Sequence, residues 1–208
     1  MNRLLLLPAL ALATGCASMA PNSSVVGKAT LNWREVATQY DRERLRGWRT
    51  SFAEALAMAR RSGHSAEIAR EGALLNPDAA IGGGPIPNGM YRCRVIKVGA
   101  KAEDVLNYVA YSGFACRVRP EQGVQGFAKL SGSQRYIGLI YPGDELRQVF
   151  LGTLALGDEQ RAAQYGVDKD RDIAGYVERI GPKRWRLIMP EPAFESRMDV
   201  LELVPVEG

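Results

Sequence analysis

From residue 90 onward the chain is a series of short strand-like runs, and this feature limits its fold more than any other. The runs lie at about 90–98, 106–118, 124–130, 135–141, 145–154, 173–180, 184–189 and 198–204. Short loops with glycine or proline separate most of them, and connections of hairpin length favour an antiparallel meander. About eight strands within residues 89–205 are enough to close a barrel or to form a sandwich.

Two cysteines, Cys93 and Cys116, fall in the first two runs. Cysteines of a small domain usually pair in an oxidising compartment, and the bond would close a loop of roughly 24 residues, worth on the order of 3 kcal/mol. Two sulfurs and the distant His64, the only histidine, cannot complete a tetrahedral metal shell. We therefore predict a Cys93–Cys116 disulfide, no metal site and no cofactor.

The same two strands carry a group of arginines. If the disulfide joins adjacent strands, side-chain alternation places Arg92, Arg94 and Arg117 together on the opposite face. Like charges repel there unless carboxylates or an anionic partner lie nearby. Glu178 or Glu202 could neutralise them from neighbouring strands, and this structural explanation competes with the hypothesis that the patch binds an anionic component of the cell envelope.

Residues 32–78 have a helical pattern. Apolar side chains recur at steps of three and four, at Leu45, Trp48, Phe52, Ala55, Leu56 and Ala59. Asp41 is placed to cap this helix, Gly63 to end it and Ser65 to cap a second, shorter one. One apolar stripe predicts a helix packed on its own domain. The predicted fold is therefore α+β, with a short N-terminal helical segment packed on an antiparallel β-barrel or sandwich of about eight strands.

Residues 79–88 link these two regions and contain Gly82-Gly83-Gly84-Pro85. Three glycines can suggest a phosphate-binding loop. However, no Gly-Lys-Ser/Thr follows them, and no strand precedes a helix here. We interpret the segment as a Gly/Pro-rich connector.

The first sixteen residues have the pattern of an export signal. Arg3 is a basic start, and Leu4–Ala13 is an apolar stretch too short to span a bilayer. The sequence Ala13-Thr14-Gly15-Cys16 matches the site at which bacterial lipoproteins are acylated and cleaved. We predict a signal peptide over 1–15, lipid (palmitate) attachment at Cys16 and a flexible tether over 16–31.

These features predict a location. The mature protein would be lipid-anchored in the cell envelope and face the periplasm, and Ala17 after the cysteine favours the outer membrane. The alternative is an ordinary signal cut within residues 17–20, which would leave a soluble periplasmic protein. Without Arg3 the chain has 26 basic and 23 acidic side chains, and so mild an excess gives no reason to expect a nucleic-acid partner.

No combination of residues predicts catalysis. His64 is the only histidine available to activate a nucleophile, and its position between two helices indicates a structural or exposed role. The acidic run 168–172 lacks the glycine and glutamate of an EF-hand. Glu191, Glu195, Asp199 and Glu202 lie in a charge-rich stretch that is typical of protein surface.

Several runs resemble a proteobacterial family of exported proteins about 200 residues long, known only as a domain of unknown function. They are 89–97, 132–135, 150–152 with 155–159, 177–182 with 184–187, and 194–196 with 199–203; Trp33 and Asp41-Arg42 are also similar. The resemblance implies export and brings no activity or catalytic residues. We predict a non-enzymatic binding or structural role. The alternatives are a lipocalin-like small-ligand carrier, which requires an open apolar cavity, and an inhibitor of exported proteases, which requires a protruding N-terminal segment.

Overall fold

A computed structural model describes residues 25–28, 30–157 and 159–206. The predicted signal peptide, Cys16 and most of the predicted tether lie outside these residues. The described end of that tether is in contact with the fold: the carbonyl of Val25 accepts a hydrogen bond from the Tyr165 amide (2.8 Å), and Val26 is buried. Among the described helices, none is long and apolar enough to cross a membrane.

Eight antiparallel strands form a closed barrel, which confirms the predicted fold class and selects the barrel over the sandwich. Each strand pairs with the next, and the last pairs with the first. The strands are β1 (Gly89–Ala100), β2 (Tyr108–Pro120), β3 (Gln125–Lys129), β4 (Gln134–Tyr141), β5 (Arg147–Leu156), β6 (Asp172–Gly181), β7 (Arg184–Pro190) and β8 (Ser196–Pro205).

Alternating side chains fill the barrel with a packed core. Its aromatic members include Tyr91, Phe127, Phe150 and Trp185, and Trp185 lies against Tyr91 edge to face. The Cys93–Cys116 disulfide is confirmed and lies in this core, where it joins β1 to β2. The interior is therefore occupied by the protein's own side chains, and the open space lies at the ends of the barrel.

In the described part of the chain, four helices precede the barrel: α1 (Trp33–Val36), α2 (Gln39–Arg46), α3 (Trp48–Arg61) and α4 (Ser65–Glu71), followed by a 3₁₀ turn (Gly72–Leu75). The prediction that Asp41 caps the main helix was wrong. The hydroxyl of Thr38 caps α2 by accepting from the Asp41 amide (3.1 Å), and the chain bends at Gly47 before α3 begins. Ser65 is the first residue of α4 rather than its cap.

The apolar stripe packs on the outside of the barrel, as expected for a helix that covers its own domain. Phe52 and Leu56 of α3 meet Ile96 of β1 and Val200 of β8 in one buried cluster. Because the inner faces of these strands are also buried, both sides of β1 and β8 are apolar over this stretch. The helices thus cover one flank of the barrel and neither of its ends.

The Gly/Pro-rich connector closes one end of the barrel. Ile86 inserts into the core, its amide donates to Gln148 Oε1 (2.8 Å), and its carbonyl accepts from Gln125 Nε2 (2.7 Å). The opposite end, formed by the last residues of β1 and β3 and the first of β4 and β8, has a different character. It carries two buried lysines, and we call it the lysine end.

Candidate functional site

Five charged side chains form a single row across the outer surface of five neighbouring strands. In order from β5 through β6, β7 and β8 to β1 they are Arg147, Glu178, Arg186, Glu202 and Arg94, and each is the register partner of the next. Their charges alternate along the row. We call this arrangement the charge row. Direct cross-strand pairs of opposite charge stabilise a sheet, so the barrel neutralises these charges internally.

Arg186 is the centre of the charge row and is fully buried. Its Nε and Nη2 donate to Glu178 Oε2 (2.8 and 2.6 Å), and Arg147 binds the other oxygen of Glu178 (2.6 Å). The remaining Arg186 donors reach carbonyls of the segment after α4, at Ala73, Leu74, Asn76 and Pro77. One guanidinium therefore joins the barrel to the end of the helical segment.

Arg94 is held by two carboxylates and does not present a free charge. It forms ion pairs with Glu202 of the adjacent strand and with Glu71 of α4, and Tyr108 also donates to Glu71 (3.0 Å). The structural explanation of the arginine patch was neutralisation by a glutamate of a neighbouring strand. It holds for Arg94, which Glu202 neutralises. The interpretation of Glu202 as a surface residue was wrong because the helical segment covers it.

Arg92 and Arg117 remain exposed on the outer face of β1 and β2, and neither forms an ion pair with another described residue. Arg92 pairs with Ala115, two residues from Arg117, so the two guanidinium groups are diagonal neighbours. We call this pair the basic face. Val25 and Arg117 line the same shallow cleft of about 140 Å³, so the described chain starts beside the basic face.

At the lysine end, Asp199 is the centre of a buried hydrogen-bond network. It accepts from Tyr136 (2.7 Å), Lys97 (3.2 Å) and Ser196, and it is 1 % exposed, so its assignment to the surface was wrong as well. Burial and the Asp199 charge raise the pKa of Tyr136 well above its ordinary value. Burial alone would lower the pKa of Lys97, but Asp199 and Glu195 outweigh it and raise that pKa.

Lys129, the second lysine at this end, is 3 % exposed and forms no ion pair within the described chain. Its Nζ donates to the carbonyls of Ser131 (2.8 Å) and Gln134 (2.7 Å) and lies 3.7 Å from the ring centre of Phe114. Burial, together with the charges of Arg135 and Lys97, lowers the pKa of Lys129 to about 8. The amine is thus hydrogen-bonded, but no described residue supplies a charge that neutralises it.

A cleft of about 240 Å³ opens at this end of the barrel. Lys97, Lys129, Gln134 and Tyr136 provide polar groups on its lining, and Tyr111 and Phe114 provide aromatic surface. Glu195 reaches the same cleft, where it binds Lys97 (3.1 Å) and accepts from Gln134 Nε2 (3.2 Å). The cleft therefore combines an unneutralised amine with aromatic walls.

A second buried polar cluster attaches α2 to the barrel. Arg44 bonds the Asp172 carbonyl (2.6 Å) and pairs with Asp41 (2.6 Å), and Tyr165 also donates to Asp41. The Asp172 carboxylate accepts only from the Gly166 amide (2.9 Å) among the described groups. Burial raises the pKa of Asp172 to about 6, the Gly166 hydrogen bond opposes this rise, and the Asp41 charge adds to it.

The other residues considered from sequence lie apart from these clusters. His64 follows α3, stacks on Tyr108 and lies 3.8 Å from Glu67. Among the described residues, no group of three or more His, Cys, Asp or Glu side chains is arranged to hold a metal ion. A larger cleft of about 790 Å³ opens at the connector end, but its two arginines bind partners of their own: Arg147 binds Glu178, and Arg179 binds backbone carbonyls.

The fold and these sites define a small eight-stranded antiparallel barrel with a helical cover, a packed interior and a polar cleft at one end. The chain belongs to the family described as "Domain of unknown function (DUF4893)", whose model matches residues 33–203. The predicted membership of a family without known activity is thereby confirmed. No curated protein and no solved structure matches the chain.

Proposed function

We propose that this protein is an envelope lipoprotein, held at a membrane by a lipid on Cys16, with a non-enzymatic binding role for its barrel. In this proposal it faces the periplasm, most naturally from the outer membrane, and the basic face contacts anionic lipid headgroups. Proteobacterial origin, export and anchoring are parts of the proposal that rest on the sequence pattern. A soluble periplasmic protein is the alternative location.

The observation that carries the proposal is the position of Val25 beside Arg117. Eight residues lie between Cys16 and Val25, and the nine residue steps that join these two positions span at most about 32 Å when fully extended. A lipid on Cys16 would therefore keep the basic face close to the membrane. Each arginine near an anionic surface contributes about 1 kcal/mol of attraction. The packed barrel interior supports a surface role over a carrier with an open apolar cavity.

The anchor is tested by the mass of the mature N-terminus. We expect the exported protein to start at Cys16 with diacylglycerol on its sulfur, and the Cys16→Ser variant to lack the lipid. Several acyl chains are needed because a single chain anchors only marginally. Top-down mass spectrometry of membrane and soluble fractions provides the measurement. A wild-type protein that starts unmodified at Ala17 or later contradicts the anchor.

The basic face is tested with the mature chain from Ala17 onward, exported behind an ordinary cleavable signal so that it carries no lipid. We expect it to sediment with phosphatidylglycerol vesicles, less so at high salt, and not with phosphatidylcholine vesicles. Combining Arg92→Glu with Arg117→Glu should weaken this binding by at least about tenfold, because two attractive charges become repulsive.

A matched control combines Arg60→Glu with Arg61→Glu at the exposed end of α3, which changes the net charge equally. This control should retain vesicle binding. Equal losses in both double variants would indicate a response to net charge alone and would overturn the assignment of the basic face. Binding that survives Arg92→Glu with Arg117→Glu would overturn it as well.

A further inference from the structure

We infer that the cleft at the lysine end binds a small organic carboxylate with an apolar body, with Lys129 as the group that neutralises it. This site lies inside the rim of the barrel and is separate from the basic face. It does not depend on the lipid anchor, so the two proposals stand or fall independently.

The first argument is the incomplete neutralisation of Lys129. A buried ammonium group is unfavourable unless it is both hydrogen-bonded and paired with an opposite charge. The Lys129 amine donates hydrogen bonds to two carbonyls and lies over the Phe114 ring, yet no described carboxylate pairs with it. Lys97, at the same end, has both Asp199 and Glu195. An anionic ligand would give Lys129 the neutralising negative charge that Asp199 and Glu195 give Lys97.

The second argument is that this cleft already holds a carboxylate of its own chain. Glu195 lies at the rim with its side chain 42 % exposed, and it binds Lys97 and Gln134. Its backbone has a φ of 65°, a left-handed conformation that is uncommon for a residue with a side chain. The lining of the cleft thus recognises a carboxylate by an amine and an amide. A free carboxylate would use the same kind of donors and would compete with Glu195.

The third argument concerns the rest of the ligand. Tyr111 is partly exposed at the entrance, and Phe114 covers the amine from one side. Aromatic faces of this kind take a flat or short-chain apolar group. A cleft of about 240 Å³ is slightly smaller than typical sites for drug-sized ligands, which start at about 300 Å³. The geometry therefore points to a small monocarboxylate.

The experiment uses benzoate and hexanoate as probes and benzamide as the uncharged counterpart of benzoate. Titration of the mature protein, followed by amide chemical shifts and calorimetry, should show saturable binding of a carboxylate that shifts residues 114, 129 and 134. Benzamide should bind at least about tenfold more weakly, because a hydrogen bond between two charged groups is lost. Affinity should fall as the pH rises through about 8, where Lys129 loses its proton.

Two variants with opposite expected effects separate a binding site from a structural lysine. Lys129→Met should weaken carboxylate binding by at least about tenfold, whereas Glu195→Gln should strengthen it by removing the internal competitor. Lys169→Met, at an exposed lysine outside the cleft, is the matched control and should bind as wild type. Lys129→Met should remain folded at pH 7, since removal of an unneutralised buried charge offsets the loss of its hydrogen bonds to the Ser131 and Gln134 carbonyls.

Three results would overturn the inference. The first is the absence of saturable binding of either carboxylate. The second is equal binding of benzoate and benzamide. The third is binding that Lys129→Met leaves intact while the protein remains folded.

Discussion

Replacing Arg186 by leucine is expected to lower the free energy of unfolding by about 3–5 kcal/mol, a large share of the stability of a domain of this size. The guanidinium is fully buried and binds Glu178 through two nitrogens. Without it, Glu178 keeps only Arg147, and carbonyls of residues 73–77 lose their donor. Leaving buried acceptors and a buried charge without partners is more costly than the loss of the hydrogen bonds themselves.

Urea unfolding followed by far-UV circular dichroism measures this effect. Arg61→Leu, at an exposed position in the last turn of α3, is the matched control and should change stability by less than about 0.5 kcal/mol. Arg186→Lys should fall between the two, because one ammonium group cannot reach both the carboxylate and all of the carbonyls. A change below about 1 kcal/mol for Arg186→Leu would show that the charge row does not hold the helical segment on the barrel.

The general fold could be predicted because it is recorded in local sequence patterns. Each of the eight strand-like runs corresponds to an observed strand. Cys93 points into the core and Arg92 lies on the opposite, outer face, as the alternation predicts. These inferences need only the alternation of side chains along one strand. The sequence does not distinguish a barrel from a sandwich, because closure depends on the register between distant strands.

The candidate sites were harder to predict for the same reason. The charge row joins residues of five strands that lie at the same level along the barrel axis. The sequence of each strand does not reveal its register against its neighbours, so this alignment could not be predicted. Glu202 and Asp199 lie in a charge-rich stretch that suggests surface, yet one is covered by helices and the other is inside the barrel. The sequence did contain an indication of burial: both residues occur within a largely apolar run, which forms a strand that is buried on two faces. Charged residues in such a strand need internal partners.

Lys129 shows a further limit of prediction from sequence. Nothing in its local sequence distinguishes it from a solvated lysine at a strand end, and its character comes from Phe114, Ser131 and Gln134 closing around it. Natural proteins retain locally unfavourable groups mainly where function requires them. The contrast between neutralised Lys97 and unneutralised Lys129 is thus more informative about function than either lysine alone.

Gly152→Ala is expected to destabilise the barrel by about 3 kcal/mol, although alanine is normally tolerated in strands. Gly152 of β5 and Gly138 of β4 are direct register partners and face the interior beside Phe150. A methyl group at residue 152 would lie 2.7 Å from the Gly138 Cα and from the Phe150 ring, and it would also meet the Ile137 carbonyl oxygen. Backbone atoms cannot move aside as a flexible side chain can, so the two strands would have to separate.

The physical reason for this paired glycine lies in the closure of the barrel. A sheet of only eight strands must bend sharply, and glycines on the concave face let neighbouring backbones approach where a side chain would hold them apart. Thermal and urea unfolding of Gly152→Ala provide the measurement. Gly82→Ala is the control, because its new methyl group would have only one ordinary contact, at 3.6 Å from the Glu145 carbonyl oxygen. If Gly152→Ala is no less stable than Gly82→Ala, the close approach of β4 and β5 is not required for closure.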